Sequence, residues 1–237
     1  MIENPVPSIL STLRTEQATS PALIWYGPEA ERVELSGKVL DNWVAKTSNF
    51  LDEELDAEPG TILHFELPVH WKTLVWALAA WETGCLIDLS AGTGAGVRVT
   101  ATDPQARERG ELVVVVALPA LAMAWPEALP AGAVDYAAEV RSFADTYAGP
   151  DSSGVRGNAL ATAPGEAEVP FSALIGKEAH GTGPQVLLAP AAAGLAKVLG
   201  AALATWAAGG TLVLTGEGVE ASERTLAAER VTARLEA

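Results

Sequence analysis

The chain has 237 residues, 49% of them hydrophobic and 19% charged, which is typical of a globular protein and excludes a disordered one. Its formal net charge of −15 produces a field that repels nucleic acids and anionic membranes, so neither is expected as a partner. A lone cysteine, Cys85, excludes an intramolecular disulfide, and its apolar neighbours predict a buried side chain.

The N-terminal sequence MIENPVPSIL lacks the basic region and apolar block of a secretory signal, so we expect a cytoplasmic protein. Residues 186–215 carry one charge, Lys197, and have the hydropathy of a membrane span. Pro190 and Gly209-Gly210 divide this run, however, and we interpret it as a strand, a helix and a strand buried in a βαβ unit.

Strands and helices alternate along the first half of the chain. Two strands at 22–26 and 32–35 are separated by a Gly-Pro turn and predict a hairpin. The segment 36–55 predicts an amphipathic helix with one apolar stripe, formed by Val39, Leu40, Trp43, Val44, Thr47, Phe50 and Leu51. A strand at 61–67 precedes a second helix, which His70 opens and Gly84 follows; its apolar stripe comprises Trp71, Leu74, Leu78, Trp81 and Cys85.

The second half continues the alternation. Strands are predicted at 85–90, 97–102, 111–118, 158–163, 185–189 and 211–215. Helices are predicted at 132–149 (with Asp135 as N-cap and Val140, Phe143, Ala144 and Tyr147 inward), 170–179, 191–208 and 221–237. Strands joined by helices require crossover connections, so we predict an α/β fold with a mainly parallel sheet and helices on both faces.

The segment 148–170 is rich in Gly, Pro, Ser and Asp, which is typical of a flexible connection. It divides the chain into a first α/β subdomain, residues 1–147, and a second βαβα segment, residues 171–237. We expect the second segment to pack on the same sheet as the first or on an adjoining one.

The candidate catalytic and binding patterns are weak. The glycine run SAGTGAG at 90–96 precedes a strand-like segment and not a helix, which favours a hairpin loop over a dinucleotide site. His64, His70 and His180 lack metal-ligand spacing, so no metal site is predicted; His180, in a Gly-Thr-Gly loop, is the accessible histidine to test. The acidic run at 52–58 reads as solvated surface, and no GxSxG nucleophile motif is present.

Two long segments carry a family resemblance. VELSGKVLDNWVAKTSNFLDEEL at 33–55 and EPGTILHFELPVHWKTLVWALAAWETGCLIDLS at 58–90 place a helix, a Pro-Gly strand, a helix and a glycine-led strand in order. This order resembles the N-terminal part of the adenylate-forming (AMP-binding, acyl-CoA synthetase-like) enzymes, as does the later segment 185–216. The resemblance implies the fold of their N-terminal subdomains, and the chain is similar to an actinobacterial-type group within them.

Between these segments the family places a Ser/Thr/Gly-rich phosphate loop that ends in Pro-Lys. By position this chain has ATAPGEAEVPFSAL there, at 161–174. The corresponding degenerate loop positions are Thr162, Pro164, Gly165, Glu166 and Glu168. The two carboxylates would repel a triphosphate and Pro164 lacks an N–H donor, so the loop is expected not to support the chemistry.

The family's nucleotide-binding motifs, magnesium ligand and catalytic lysine would follow residue 237 by position, so no residue here inherits a catalytic, cofactor or metal role. We therefore expect a shortened, degenerate and non-catalytic relative. It would bind a small acyl, aryl or nucleotide ligand or a protein partner, which includes a second copy of itself. Two alternatives stay open: a subunit or half-site of an acyl/aryl-CoA synthetase-type enzyme, which would use ATP/AMP or CoA, and an unrelated α/β domain.

Overall fold

The computed structural model describes residues 3–90, 96–107, 110–175 and 183–236. Its α-helices are α1 (Val6–Thr15), α2 (Gly37–Glu53), α3 (Trp71–Glu82), α4 (Tyr136–Glu139), α5 (Leu195–Ala207) and α6 (Glu223–Ala228). Its strands are β1 (Pro21–Tyr26), β2 (Arg32–Ser36), β3 (Ile62–Glu66), β4 (Leu86–Asp88), β5 (Val97–Thr100), β6 (Leu112–Val115), β7 (Ala133–Asp135), β8 (Asn158–Ala161), β9 (Val169–Pro170), β10 (Val186–Pro190), β11 (Thr211–Thr215) and β12 (Ala233–Arg234).

The strands form two sheets. The first has the order β12-β10-β11-β1-β2 and joins the N-terminal hairpin to the C-terminal strands. The second has the order β7-β6-β5-β3-β4-β8-β9. The pairs are parallel except for β1–β2 and β8–β9, which lie at sheet edges. The predicted α/β fold with mainly parallel strands is thus confirmed.

One apolar core connects the two sheets. It includes Leu23 and Leu212 of the first sheet and Leu63 and Val99 of the second, all fully buried. A smaller cluster of Ile24, Leu188, Val213 and Leu226 covers the opposite face of the first sheet beneath α6. The first sheet is therefore covered on both faces, as parallel strands require.

The helices α2 and α3 form as the sequence predicts. The Ser36 side chain caps α2 by accepting from Val39 N–H at 3.3 Å, and His70 caps α3 by accepting from Lys72 N–H at 3.1 Å. Gly84 follows α3 with a φ of 80°, the left-handed conformation expected after a helix end. The prediction is wrong for one residue of the stripe. Val39 is 42% exposed, because it lies in the first turn of α2, beyond the edge of the core.

β4 and β5, which precede and follow the glycine-rich segment, do not pair as a hairpin. They lie on opposite sides of β3 and run parallel to it. The prediction of a hairpin is therefore wrong, since apolar patterning identifies strands but not their partners. Residues 91–95 themselves lie outside the described part of the chain.

The helix predicted at 132–149 is also wrong beyond its first turns. Asp135 caps α4 by accepting from Ala137 N–H at 3.0 Å, as predicted, but the helical conformation ends at Ser142, and Ala144 is exposed. Asn49 of α2 donates from Nδ2 to the carbonyls of Ala144 and Thr146, both at 3.1 Å. These tertiary hydrogen bonds hold the backbone in a conformation that a continuing helix would exclude.

The closing helix predicted at 221–237 is shorter as well. It ends at Ala228, Arg230 has a φ of 55°, and β12 pairs in parallel with β10. Leu235 N–H donates to Leu188 C=O at 2.8 Å, and its side chain is 6% exposed. Pairing with an open sheet edge and burial of Leu235 outweigh the local helical preference. The sequence analysis did not identify α1, which packs against α2 and α5.

Residues 186–215 contain β10, α5 and β11, as the βαβ interpretation requires. Within the described ranges, none of the helices has the length and apolar character needed to cross a bilayer.

Two buried tryptophans should respond differently to replacement by Phe. Trp206 Nε1 donates to the buried Ala22 C=O at 2.9 Å, whereas Trp76 Nε1 is buried and lacks a partner among the described residues. Trp206→Phe orphans a carbonyl and Trp76→Phe removes an orphaned N–H, so Trp206→Phe should be the more destabilising by about 1–2 kcal/mol. Urea unfolding of both variants measures the difference; an equal loss of stability would contradict the prediction.

Candidate functional site

The predicted phosphate-loop position is a β-hairpin turn and not a loop before a helix. Residues 162–168 connect the antiparallel strands β8 and β9, and Phe171–Ala173 then form a single 3₁₀ turn. The predicted helix at 170–179 is therefore wrong as far as residue 175; residues 176–182, with His180, lie outside the described chain. A three-residue turn offers no helix dipole to a phosphate.

Each of the two carboxylates of this turn accepts a hydrogen bond from a side chain of the same hairpin. Thr162 Oγ1 donates to Glu166 Oε2 at 2.8 Å, and Asn158 Nδ2 donates to Glu168 Oε2. Gly165 has a φ of 80°, the left-handed conformation this tight turn needs. The structure thus brings Thr162 and Glu166 together and leaves Pro164 exposed at the turn.

An apolar cavity of about 290 Å³ lies beside this turn, between β8, β9 and α5. Thr162 and Lys197 are its polar lining residues, and Lys197 Nζ donates to Glu236 C=O at 3.2 Å.

The surroundings of His64 and Cys85 indicate structural roles. His64 Nδ1 lies 3.0 Å from Asp88 Oδ2 across β3 and β4. Cys85 is fully buried, as predicted, and burial raises the pKa of its thiol to about 11. In the described part of the chain, no three His, Cys, Asp or Glu side chains are grouped to hold a metal ion.

A larger cavity, of about 440 Å³, opens where the carboxyl ends of strands from both sheets meet. We call it the inter-sheet cavity. Its lining follows β1 (Pro28, Glu29, Glu31), β3 (Pro68, Val69, His70), β6 (Leu118, Pro119) and β11 (Gly216, Glu217), with Trp25 between them. In open α/β sheets the carboxyl ends of the strands are where ligands bind, so this cavity is the candidate site.

Trp25 and Glu31 form the floor that joins the two sheets. Trp25 Nε1 donates to Glu31 Oε2 at 2.9 Å, and Ala120 N–H donates to Glu31 Oε1 at 2.9 Å. A Cβ at Gly27 would lie 2.6 Å from Glu31 Oε2, and one at Gly216 would lie 2.9 Å from the Trp25 ring. A side chain at either position would therefore have to displace Trp25 or Glu31.

His70 supplies a neutral imidazole to the wall. Burial, together with the positive charge of Lys72, lowers its pKa to about 3, so the ring is neutral at neutral pH. Its Nδ1 accepts from Lys72 N–H, which places the ring proton on Nε2. Among the described residues, no acceptor pairs with Nε2, and the ring packs edge-on against Trp25 at 4.5 Å.

Lys72 lies behind this wall. It is 5% exposed, and its Nζ donates to the carbonyls of Ala117 and Pro119 at 2.6 and 2.9 Å. Burial, with a contribution from the nearby Arg141 charge, lowers its pKa to about 8. Lys72 therefore fixes the segment after β6 against α3, and it does not line the cavity.

The sequence analysis identified none of these residues as functional. Trp25 was expected only within a strand and His70 only at the start of a helix, and His70 is indeed the cap of α3. These residues could have been found from the rule that ligands bind at the carboxyl ends of parallel strands. Applying that rule requires the strand order, which the apolar pattern of the sequence does not give.

No family model matches the chain. A Mycobacterium tuberculosis protein, named only as a member of a numbered family, is 31% identical over 153 residues, which are 58% of this chain and 60% of that protein. An acyl-CoA synthetase from Brucella canis aligns with a TM-score of 0.69 and 19% identity over 98% of this chain and 46% of its own. An amide bond synthetase from Marinactinospora thermotolerans gives 0.68 and 18% over 97% and 47%.

The chain thus spans about half the length of these two enzymes. The chain has the fold of the N-terminal part of the adenylate-forming enzymes, as the sequence resemblance implied.

Proposed function

We propose that this chain is a ligand-binding protein that uses an adenylate-forming scaffold without adenylation chemistry. The observation that carries the proposal is the hairpin turn at 162–168, in which Glu166 accepts a hydrogen bond from Thr162 of the turn and Glu168 accepts one from Asn158 of β8. The charges of these two exposed carboxylates would repel a phosphate that approached the turn. The turn contains no lysine or arginine to offset them.

The ligand site we propose is the inter-sheet cavity. Its volume of about 440 Å³ suits a small organic molecule, and its walls combine apolar side chains with a few polar groups. Trp25 and His70 are both nearly fully buried, at 2% and 4% exposed, so the walls are rigid before a ligand arrives.

The proposal predicts no ATP–pyrophosphate exchange by this chain with a panel of aliphatic, aryl and amino acids. The physical reason is repulsion between the triphosphate and Glu166 and Glu168 in a turn without a cation. Radiolabelled pyrophosphate incorporation measures the exchange, with heat-killed protein as the control.

Exchange above the heat-killed control, for any acid, would overturn the proposal. If exchange were found, the variant Glu166→Ala, with the exposed Glu127→Ala as its matched control, would show whether the turn takes part.

A second candidate is a subunit or half-site of an acyl/aryl-CoA synthetase-type enzyme that binds ATP/AMP or CoA with a partner chain. The specific observation that favours it is the apolar loop after β6, where Leu121 is 90% exposed and Met123 is 65% exposed beside the cavity. Exposed apolar groups that adjoin a cavity are typical of protein interaction sites. Light scattering of the purified chain, and purification from its source with and without Leu121→Ser, would detect a second copy or a partner.

A further inference from the structure

We propose that the inter-sheet cavity binds a small organic amine that also carries a neutral oxygen acceptor, such as an aryl amino alcohol. This inference rests on the proposed ligand-binding function and names the chemical class of its ligand.

The charge of the cavity selects a cation. Glu29, Glu31 and Glu217 line it, and no lysine or arginine is among its lining residues in the described chain. The nearest cation, Lys72, is turned to backbone carbonyls behind the wall. With Lys72 counted, the groups around the cavity still carry more negative than positive charge. A carboxylic acid or a phosphate would therefore be repelled, and a protonated amine attracted.

The carboxylates of Glu29 and Glu217, at the mouth of the cavity, are the groups left to bind the amine. Both oxygens of Glu31 already accept hydrogen bonds, one from Trp25 Nε1 and the other from Ala120 N–H. Glu29 and Glu217 are exposed, and neither carboxylate has a hydrogen-bond partner within the described residues. They stand on the turns after β1 and β11, one on each neighbouring strand, so both face the same entrance.

His70 selects the oxygen acceptor. Its ring is 4% exposed, and its Nδ1 is occupied by Lys72 N–H, so a neutral Nε2–H is the donor left for the cavity. This N–H is open to the cavity, where the oxygen of a ligand would replace water as its acceptor. An amine alone does not satisfy this N–H, whereas an adjacent hydroxyl or carbonyl oxygen does.

The apolar walls select an aromatic or aliphatic ring. Trp25, Val69 and Leu118 provide the apolar faces, and Pro68 and Pro119 make the rim rigid. An indole face also attracts a cation that approaches it.

The test is a calorimetric titration of the chain with phenylethanolamine, which carries the ring, the amine and the hydroxyl. Three close analogues are the controls: styrene glycol replaces the amine by a neutral hydroxyl, mandelate replaces the aminomethyl group by a carboxylate, and phenethylamine lacks the hydroxyl. We expect phenylethanolamine to bind at least about tenfold more tightly than styrene glycol or mandelate, and several-fold more tightly than phenethylamine. Equal or tighter binding of styrene glycol or mandelate, or no binding of either amine, would overturn the inference.

A double variant locates the site. Glu29→Gln with Glu217→Gln removes the two mouth charges and should weaken phenylethanolamine binding about tenfold at low salt while raising the relative affinity of styrene glycol. Glu220→Gln, in the same loop but outside the lining, is the matched control and should bind as the parent does. An unchanged affinity in the double variant would place the amine elsewhere and overturn the inference.

These outcomes are separable from the exchange assay. If the chain shows no pyrophosphate exchange and no preference for the amine, only the proposed ligand class is wrong. If the chain shows exchange and also binds the amine, the non-catalytic function is wrong and the ligand class still holds.

Discussion

Arg98→Met should destabilise the protein by about 3–5 kcal/mol, because it removes one partner of a buried charge network. The Arg98 side chain is 2% exposed and bonds to Glu111 Oε1 at 3.0 Å and to Glu66 Oε2 at 3.1 Å. It also donates to the carbonyls of Asp103 and Gln105, and so holds the segment after β5. Methionine keeps the length of the side chain but leaves the 8% exposed Glu111 carboxylate without its cation.

Urea unfolding followed by circular dichroism measures this loss. Arg156→Met is the matched control, since Arg156 is 82% exposed and pairs with Glu3 at 3.5 Å; it should change stability by less than about 0.5 kcal/mol. The double variant Arg98→Met/Glu111→Leu removes the orphaned carboxylate and should recover at least about half of the loss. A double variant less stable than Arg98→Met alone would contradict the explanation by an unpaired charge.

The spacing of apolar residues and the capping residues correctly predicted the elements whose formation depends on nearby residues. The stripe of α3, from Trp71 to Cys85, is buried throughout, and its cap at His70 and its terminal Gly84 lie where the residue types place them. The residues of β6 are apolar without alternation, which is typical of a strand buried on both faces. These features depend on neighbours three or four positions away, and a single sequence contains that information.

The predictions that were wrong concern features that depend on contacts between residues distant in sequence. Phe143, Ala144 and Tyr147 continue the helical spacing of apolar residues, yet Asn49 binds the Ala144 and Thr146 carbonyls from nearly a hundred positions away. β12 exists because β10 offers an open edge, and β4 and β5 form no hairpin because β3 lies between them. No local pattern records such partners.

The candidate site could not be predicted for the same reason. The inter-sheet cavity is lined by Trp25 of β1 and by the segments that follow four strands, and its lining extends along the chain from Trp25 to Glu217. Each turn alone reads as an ordinary connection. The strand order of the first sheet places Glu29 beside Glu217, and the packing of the two sheets places Trp25 beside His70.

Glu82 should make the protein less stable as the pH rises from about 4.5 to 7. Burial raises the pKa of this carboxyl to about 7, although the hydrogen bond from Ser48 at 2.6 Å opposes the shift; the neighbouring Asp41 raises it further and Arg14 lowers it. Between these pH values the folded protein retains a proton that the unfolded chain has lost. The free energy of unfolding attributable to Glu82 is therefore complete below the unfolded pKa and is lost as the pH passes the folded one.

The variant Glu82→Gln tests this, because its amide oxygen still accepts from Ser48 and carries no charge to desolvate. At pH 8 it should be more stable than the parent by roughly 2–3 kcal/mol, and at pH 4 the two should be nearly equal. Urea unfolding across this pH range gives the difference, and Glu127→Gln, at an exposed position, should show no such trend. Because Glu82 ends α3 and His70 begins it, the variant should also bind phenylethanolamine as the parent does. A stability difference that is constant with pH would mean that the carboxyl does not titrate in this range, and the assignment of a raised pKa to the half-buried Glu82 would be wrong.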